Sequence, residues 1–140
     1  MRALLATLIM LGSATAYAQL KLPEASPAAT VEQTIGITEV KVVYHRPEVK
    51  GRTIWGQLVP YNEPWRAGAN ENTLVSFSSD VKVGGKPLKA GTYGLHMIPT
   101  QKEWTIAFST MTTAWGSFTY DQKEDAVRVS VTPRTEATSE

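Results

Sequence analysis

Cysteine is absent from all 140 residues. Its absence removes disulfide staples, thiolate catalysis, thiolate metal ligands and lipid attachment at an N-terminal cysteine, so stability has to come from packing. Histidine occurs twice, at His45 and His96, without metal-ligand spacing. A metal would need Glu48, Glu71 or Asp121 brought to both by the fold, so neither metal nor other cofactor is expected. A charge surplus is missing too, with 14 Lys and Arg against 13 Asp and Glu. Nucleic acid and anionic lipid surfaces call for a basic excess or stripe, so neither is an expected partner. No apolar run is long enough to span a bilayer, and no segment carries the period of an amphipathic helix. Gly-x-Ser-x-Gly does not occur, and Gly84-Gly85 is not followed by the Lys-Ser or Lys-Thr of a phosphate loop.

What is present begins with an export pattern. Arg2, the short apolar run Ala3 to Leu11, and Ala16-Tyr17-Ala18 before Gln19 read as a secretory signal over 1–18 with a small-x-small cleavage site. Periplasmic or secreted localisation in a bacterium follows. Removing Arg2 with the signal leaves a near-neutral chain. Residues 19–29, rich in Ala, Ser and Pro, read as a tether, residues 30–133 as one small domain, and 134–140 as a polar tail.

The domain is written in period two. Val31, Gln33, Ile35 and Ile37 share one phase, and Val40, Val42 and Tyr44 the other, with a slip beside Gly36 that predicts two strands joined by a turn. Thr73 to Ser79 alternates. Asp80 to Val83 and Lys86 to Leu88 flank Gly84-Gly85, whose freedom at positive φ predicts a tight hairpin. Ala90 to Ile98 and Glu103 to Phe108 predict antiparallel neighbours, and Ala126 to Val131 alternates most cleanly, with Val127, Val129 and Val131 inward and Arg128 outward. Many short strands with Gly and Pro punctuation predict an all-β antiparallel sandwich, jelly-roll-like or Ig-like, with a partly open barrel as the alternative.

Between the second and third strands, Tyr44 to Asn72 has neither period. Three Pro and three Gly forbid a long regular element there, yet two Trp, two Tyr, three Arg and one His are side chains that need partners. A long structured loop of this kind is a candidate binding loop. Arg46, Arg52 and Arg66, with Lys50 among them, suit a carboxylate, phosphate or sulfate; the alternative is that they pair with Glu48, Glu63 and Glu71 to order the loop. Trp55, Tyr61 and Trp65 suit a sugar platform, with Gln57, Asn62, Asn70 and Asn72 serving hydroxyls; the alternative is a plug over one end of the sandwich. The candidate ligand-binding set is Tyr44, His45, Arg46, Arg52, Trp55, Tyr61, Trp65, Arg66, Asn70 and His96. His96, between Leu95 and Met97, also reads as a hydrogen-bonded sheet residue.

Ile35-Gly36, Tyr44-x-Arg-Pro47, Lys50-Gly-Arg52, Leu58-Val-Pro-Tyr61, Trp65-Arg-x-Gly-Ala-Asn70, Ala90-Gly-Thr-Tyr-Gly-Leu95, Trp115-Gly116 and Tyr120-Asp121 together resemble a secreted bacterial family, domain of unknown function 2911, over Ser26 to Pro133. The resemblance brings no established activity and no catalytic roles. It implies further strand beyond the position of Glu140, so the final strand here would lack a neighbour and could drive self-association.

Three functions are compatible with these residues. The leading expectation is a non-catalytic module that binds a small polar or carbohydrate-like ligand, or an envelope partner, through the 45–72 loop. The second is an envelope hydrolase or lyase using loop Arg, His and Glu; no catalytic residue is assigned. In the third, the loop only closes the fold, which predicts that Arg46, Arg52 and Trp65 are buried and paired.

Overall fold

The computed structural model describes residues 22–134. The expected export signal, and the polar tail beyond Arg134, lie outside the described residues. Eight strands follow in order: β1 Ala28–Ile35, β2 Thr38–His45, β3 Thr73–Phe77, β4 Val81–Val83, β5 Lys86–Leu88, β6 Gly91–Pro99, β7 Trp104–Ser109 and β8 Asp125–Val131, with one 3-10 turn at Gln122–Glu124. β1 starts at Ala28, two residues inside the expected tether, because Arg46 donates its backbone N–H to Pro27 and draws that stretch into the ladder (3.0 Å).

Six strands form one antiparallel sheet in the order β1-β2-β3-β6-β7-β8, and β4-β5 form a second sheet of two strands. The expected antiparallel sandwich is therefore present in an open, unequal form. Among the described residues β1 and β8 are the two edges and do not pair with one another, so no barrel closes there. Gly36 with Ile37 makes the two-residue turn between β1 and β2, and Gly84 and Gly85 take φ of 56° and 79° in the β4–β5 turn. Only glycine meets both demands at residue 84, where a Cβ would lie 2.8 Å from Val129 Cγ1.

Paired residues share a face, so the register divides the sheet into two surfaces. On one surface Val42, Val75 and Tyr93 align, followed by Leu95, Phe108 and Val127 and then Ile106 and Val129. The β4–β5 hairpin covers them with Val81, Val83 and Leu88. This is the hydrophobic core, and each fully buried aliphatic or aromatic side chain in it contributes about 1.5–3 kcal/mol.

The opposite surface is polar and yet covered. Leu74, Gly94, Ser109 and Asp125 align there, and His96, Ala107 and Arg128 form the next row. A bulge between Phe108 and Ser109 breaks the alternation of β8. Without the extra residue, Asp125 would share the phase of Val127 and face the core; the bulge turns its carboxylate to the polar side. Arg128, expected to point into solvent, lies on this covered surface because residues 110–121 fold across it.

Candidate functional site

The 46–72 loop is tied to the sheet at two places. Trp65 exchanges both backbone hydrogen bonds with Met97 (2.8 Å each) and Asn62 donates to the Pro99 carbonyl (2.8 Å), so this stretch continues the line of β3 beside β6. Further on, Asn72 donates to the Ala114 carbonyl and Gly116 donates to that of Asn70, which binds the loop to the 110–121 segment. Asn70 takes φ of 56° to make this turn, and its side-chain amide donates to the Ser26 carbonyl (3.4 Å).

The short extended stretch at 65–66 sends consecutive side chains to opposite surfaces. Trp65 joins the core side. Its ring meets Trp55 edge to face at 5.5 Å between centroids, and Trp55 in turn meets Trp104 at 4.5 Å. The indoles pack on one another, with Trp55 left 42 % exposed. Trp65 also donates its indole N–H to the Gly68 carbonyl (3.2 Å). Trp104 was not among the candidates, because a strand tryptophan gives no sign of which loop residue it will meet.

Arg66 lies against the 110–121 segment: a Cβ on Gly116 would stand 3.1 Å from its Nη1. Its Nε is buried without a hydrogen-bond partner, and it has no ion-pair partner among the described residues. The expected loop pairings are absent for all three arginines, and the acids have other partners: Glu48 meets Lys50 (3.2 Å) and Glu71 meets His45 (3.5 Å). Arg52 donates to two backbone carbonyls, those of Val49 and Glu48, which fix its guanidinium without neutralising it. Arg46 and Arg52 are exposed and Trp65 is half-buried, so the burial that pure loop closure demands is not met.

Two clefts flank the wall made by Leu58, Val59, Trp65 and Arg66. The larger, about 550 Å³, is lined by Pro47, Val49, Lys50, Arg52 and Ile54 together with that wall. The second, about 530 Å³, is completed by Glu63, Ser117, Phe118 and Tyr120. Of the candidate residues, Arg52, Trp65 and Arg66 come together at the first cleft and Trp55 stands behind Trp65. Tyr61 packs instead under Gly56, where a Cβ would lie 2.7 Å from its ring. Tyr44 shares the face of Val42 in β2, on the core side. His45 and Arg46 line neither cleft.

Behind the second cleft lies a buried polar network that the sequence reading missed. His96, 2 % exposed, shares a hydrogen bond with Ser117 Oγ (2.9 Å) and its ring meets Tyr120 at 4.8 Å. Tyr120 donates its hydroxyl to Asp125 Oδ2 (2.5 Å), and Arg128 Nη1 donates both to the Tyr120 hydroxyl (2.7 Å) and to Asp125 Oδ2 (2.9 Å). Burial pushes the Tyr120 phenol well above its ordinary range and its bond to Asp125 reinforces this, while Arg128 opposes; Tyr120 is a fixed donor and not a base. Among the described residues no three His, Asp or Glu gather to hold a metal ion.

Burial also lowers the pKa of His96 below its ordinary value, with Asp125 opposing. The unfolded chain therefore takes up this proton first as pH falls, so stability is lost as pH drops through the unfolded value near 6.5 toward the folded one, with a limiting slope of about 1.4 kcal/mol per pH unit. Urea midpoints at pH 7.5 and 5.5 should fall further for the wild type than for His96→Gln. Equal falls would show that His96 does not titrate across unfolding.

Fold and site together define an open all-β module whose large sheet carries a hydrophobic core on one face and a covered polar network on the other, with two clefts sharing Arg66 where a long loop crosses the sheet end. The chain belongs to the family described as protein of unknown function (DUF2911), whose profile matches residues 26–140. Comparison with curated proteins and with solved structures finds no match to either.

Proposed function

We propose that this is an exported, non-catalytic binding module that holds the anionic group of a small ligand on Arg66, in the clefts between the 46–72 loop and the 110–121 segment. The observation that carries the reading is Arg66 itself, a guanidinium at the wall shared by two clefts, with no ion-pair partner among the described residues. A planar donor fork of that kind matches a carboxylate or phosphate. Trp65 and Trp104 pack edge to face against Trp55, which takes up part of the indole surface that a sugar ring would use. The network behind Ser117 supports binding more than catalysis. Tyr120 and Arg128 both bond to Asp125 Oδ2, which fixes the three side chains as a wall, while Asp125 Oδ1 is buried without a partner among the described residues.

Calorimetric titration with acetate, benzoate, phosphate monoesters and hexuronates tests the proposal. A carboxylate or phosphate should bind, and Arg66→Gln should weaken it by about 10- to 150-fold, the loss expected for a charge-assisted bond of about 1.5–3 kcal/mol. Arg66→Lys, which keeps charge and loses the fork, should fall between. Anion affinity unchanged in a folded Arg66→Gln protein would overturn the reading.

A further inference from the structure

The larger cleft narrows the ligand class, an inference that rests on the anion reading above. Its walls combine two chemistries. Val49, Ile54, Leu58, Val59 and the Trp65 ring give an apolar interior, while Lys50, Arg52 and Arg66 stand against the single carboxylate of Glu48, which Lys50 already pairs. Arg52 is held by carbonyls alone, so its charge and that of Arg66 are uncompensated among the described residues. A volume of about 550 Å³ lies within the range of small-molecule sites. Leu58, 52 % exposed, and Phe118, 84 % exposed, extend the apolar surface out of the clefts beside Arg66. A hydrophilic anion such as inorganic phosphate would leave these walls wet, and an uncharged hydrocarbon would leave two cations unanswered.

We infer that the ligand is an amphipathic monoanion, a carboxylate carrying an aliphatic chain, bound as a single molecule with its head on Arg66 and its chain along Ile54, Leu58 and Val59. Each methylene that enters an apolar wall is worth about 0.8 kcal/mol, or about fourfold in affinity.

The test is a series of straight-chain carboxylates, acetate, butanoate, hexanoate, octanoate and decanoate, kept below micelle formation and followed by calorimetry and by the fluorescence of Trp65 and its neighbours. Affinity should climb by several fold for each added methylene until the cleft is filled. Leu58→Gln, at a position 52 % exposed, should flatten the climb, with its melting temperature reported alongside. Binding that is retained but independent of chain length would overturn the amphipathic ligand and leave the anion site standing. Failure of every carboxylate to bind would overturn both. Decanol binding as tightly as decanoate would show that Arg66 is not used and would overturn the anion reading. Binding to anionic phospholipid vesicles without binding to monomeric decanoate would overturn the inference in favour of a membrane surface.

Discussion

Replacing Arg128 with Met should lower the free energy of unfolding by about 3–5 kcal/mol, which for a domain of this size is a large part of the whole. The Asp125 side chain is 2 % exposed, and among the described residues Arg128 is its only cationic partner. Removing the guanidinium leaves a carboxylate in a covered site, held among the described residues by the Tyr120 hydroxyl. Because the Arg128 side chain is itself 28 % exposed, water can enter the vacated space, and the loss should fall toward the lower end of that range. The informative comparison is the double variant Asp125→Asn with Arg128→Met. Removing both charges takes away the uncompensated one, so the double variant should be more stable than Arg128→Met alone. Urea unfolding of the four proteins decides it: strict additivity, or a single variant within 1 kcal/mol of wild type, would mean that Asp125 is better solvated than its burial implies.

Gly94→Ala should produce the second large effect, on the docking of residues 110–121. A Cβ at residue 94 would stand 2.4 Å from the Met111 carbonyl oxygen and 3.0 Å from Asn72 Nδ2. The first of these is backbone, so no rotamer change relieves it. Either the sheet absorbs the strain, at about 1–3 kcal/mol for overpacking, or the segment lifts and breaks the Asn72–Met111 and His96–Ser117 bonds. The two outcomes separate experimentally. Strain alone lowers the urea midpoint with the segment still resistant to limited proteolysis, whereas lifting opens cleavage between Met111 and Tyr120. A variant with wild-type midpoint and wild-type resistance would show that the carbonyl does not sit over Gly94.

How much of this was legible depends on the range of the interaction. The strands announced themselves locally, by alternation in β1, β2, β3 and β8 and by turn punctuation in the others, and Gly36 and Gly84-Gly85 announced the turns, because those choices are made within a few residues. The loop also declared itself, and Arg52, Trp65 and Arg66 do meet at one cleft. Partnership across the sheet was not legible. Asp125 and Arg128 reach His96 only through the register of β6, β7 and β8, Ser117 and Tyr120 only through the fold of residues 110–121 across that face, and the bulge at Ser109 reverses the side that alternation assigns to Asp125. A clue existed in Met111 to Tyr120, a second aperiodic stretch holding Trp115 and Gly116, which could have been read as the loop's counterpart. The expected pairing of loop arginines with loop acids failed for a related reason: proximity in sequence says little about which charge a side chain meets once backbone carbonyls compete for it.

The separation of β2 from β3 has a consequence for the order in which the molecule comes apart. These two strands are neighbours in the sheet, joined over only Val40 to Val43, yet residues 46–72 lie between them in the chain. Closing so long a connection costs about 3 kcal/mol of chain entropy before the first ladder bond forms, whereas β6, β7 and the β1–β2 hairpin close over much shorter distances. The β1–β2 ribbon is thus expected to detach before the rest of the sheet unfolds. Its tether is the loop that forms the cleft. An occupant bridging Val49 or Arg52 to Arg66 would shorten the effective connection, so occupancy would be felt as a tightening of the ribbon two strands away, by an amount set by ligand concentration over its dissociation constant.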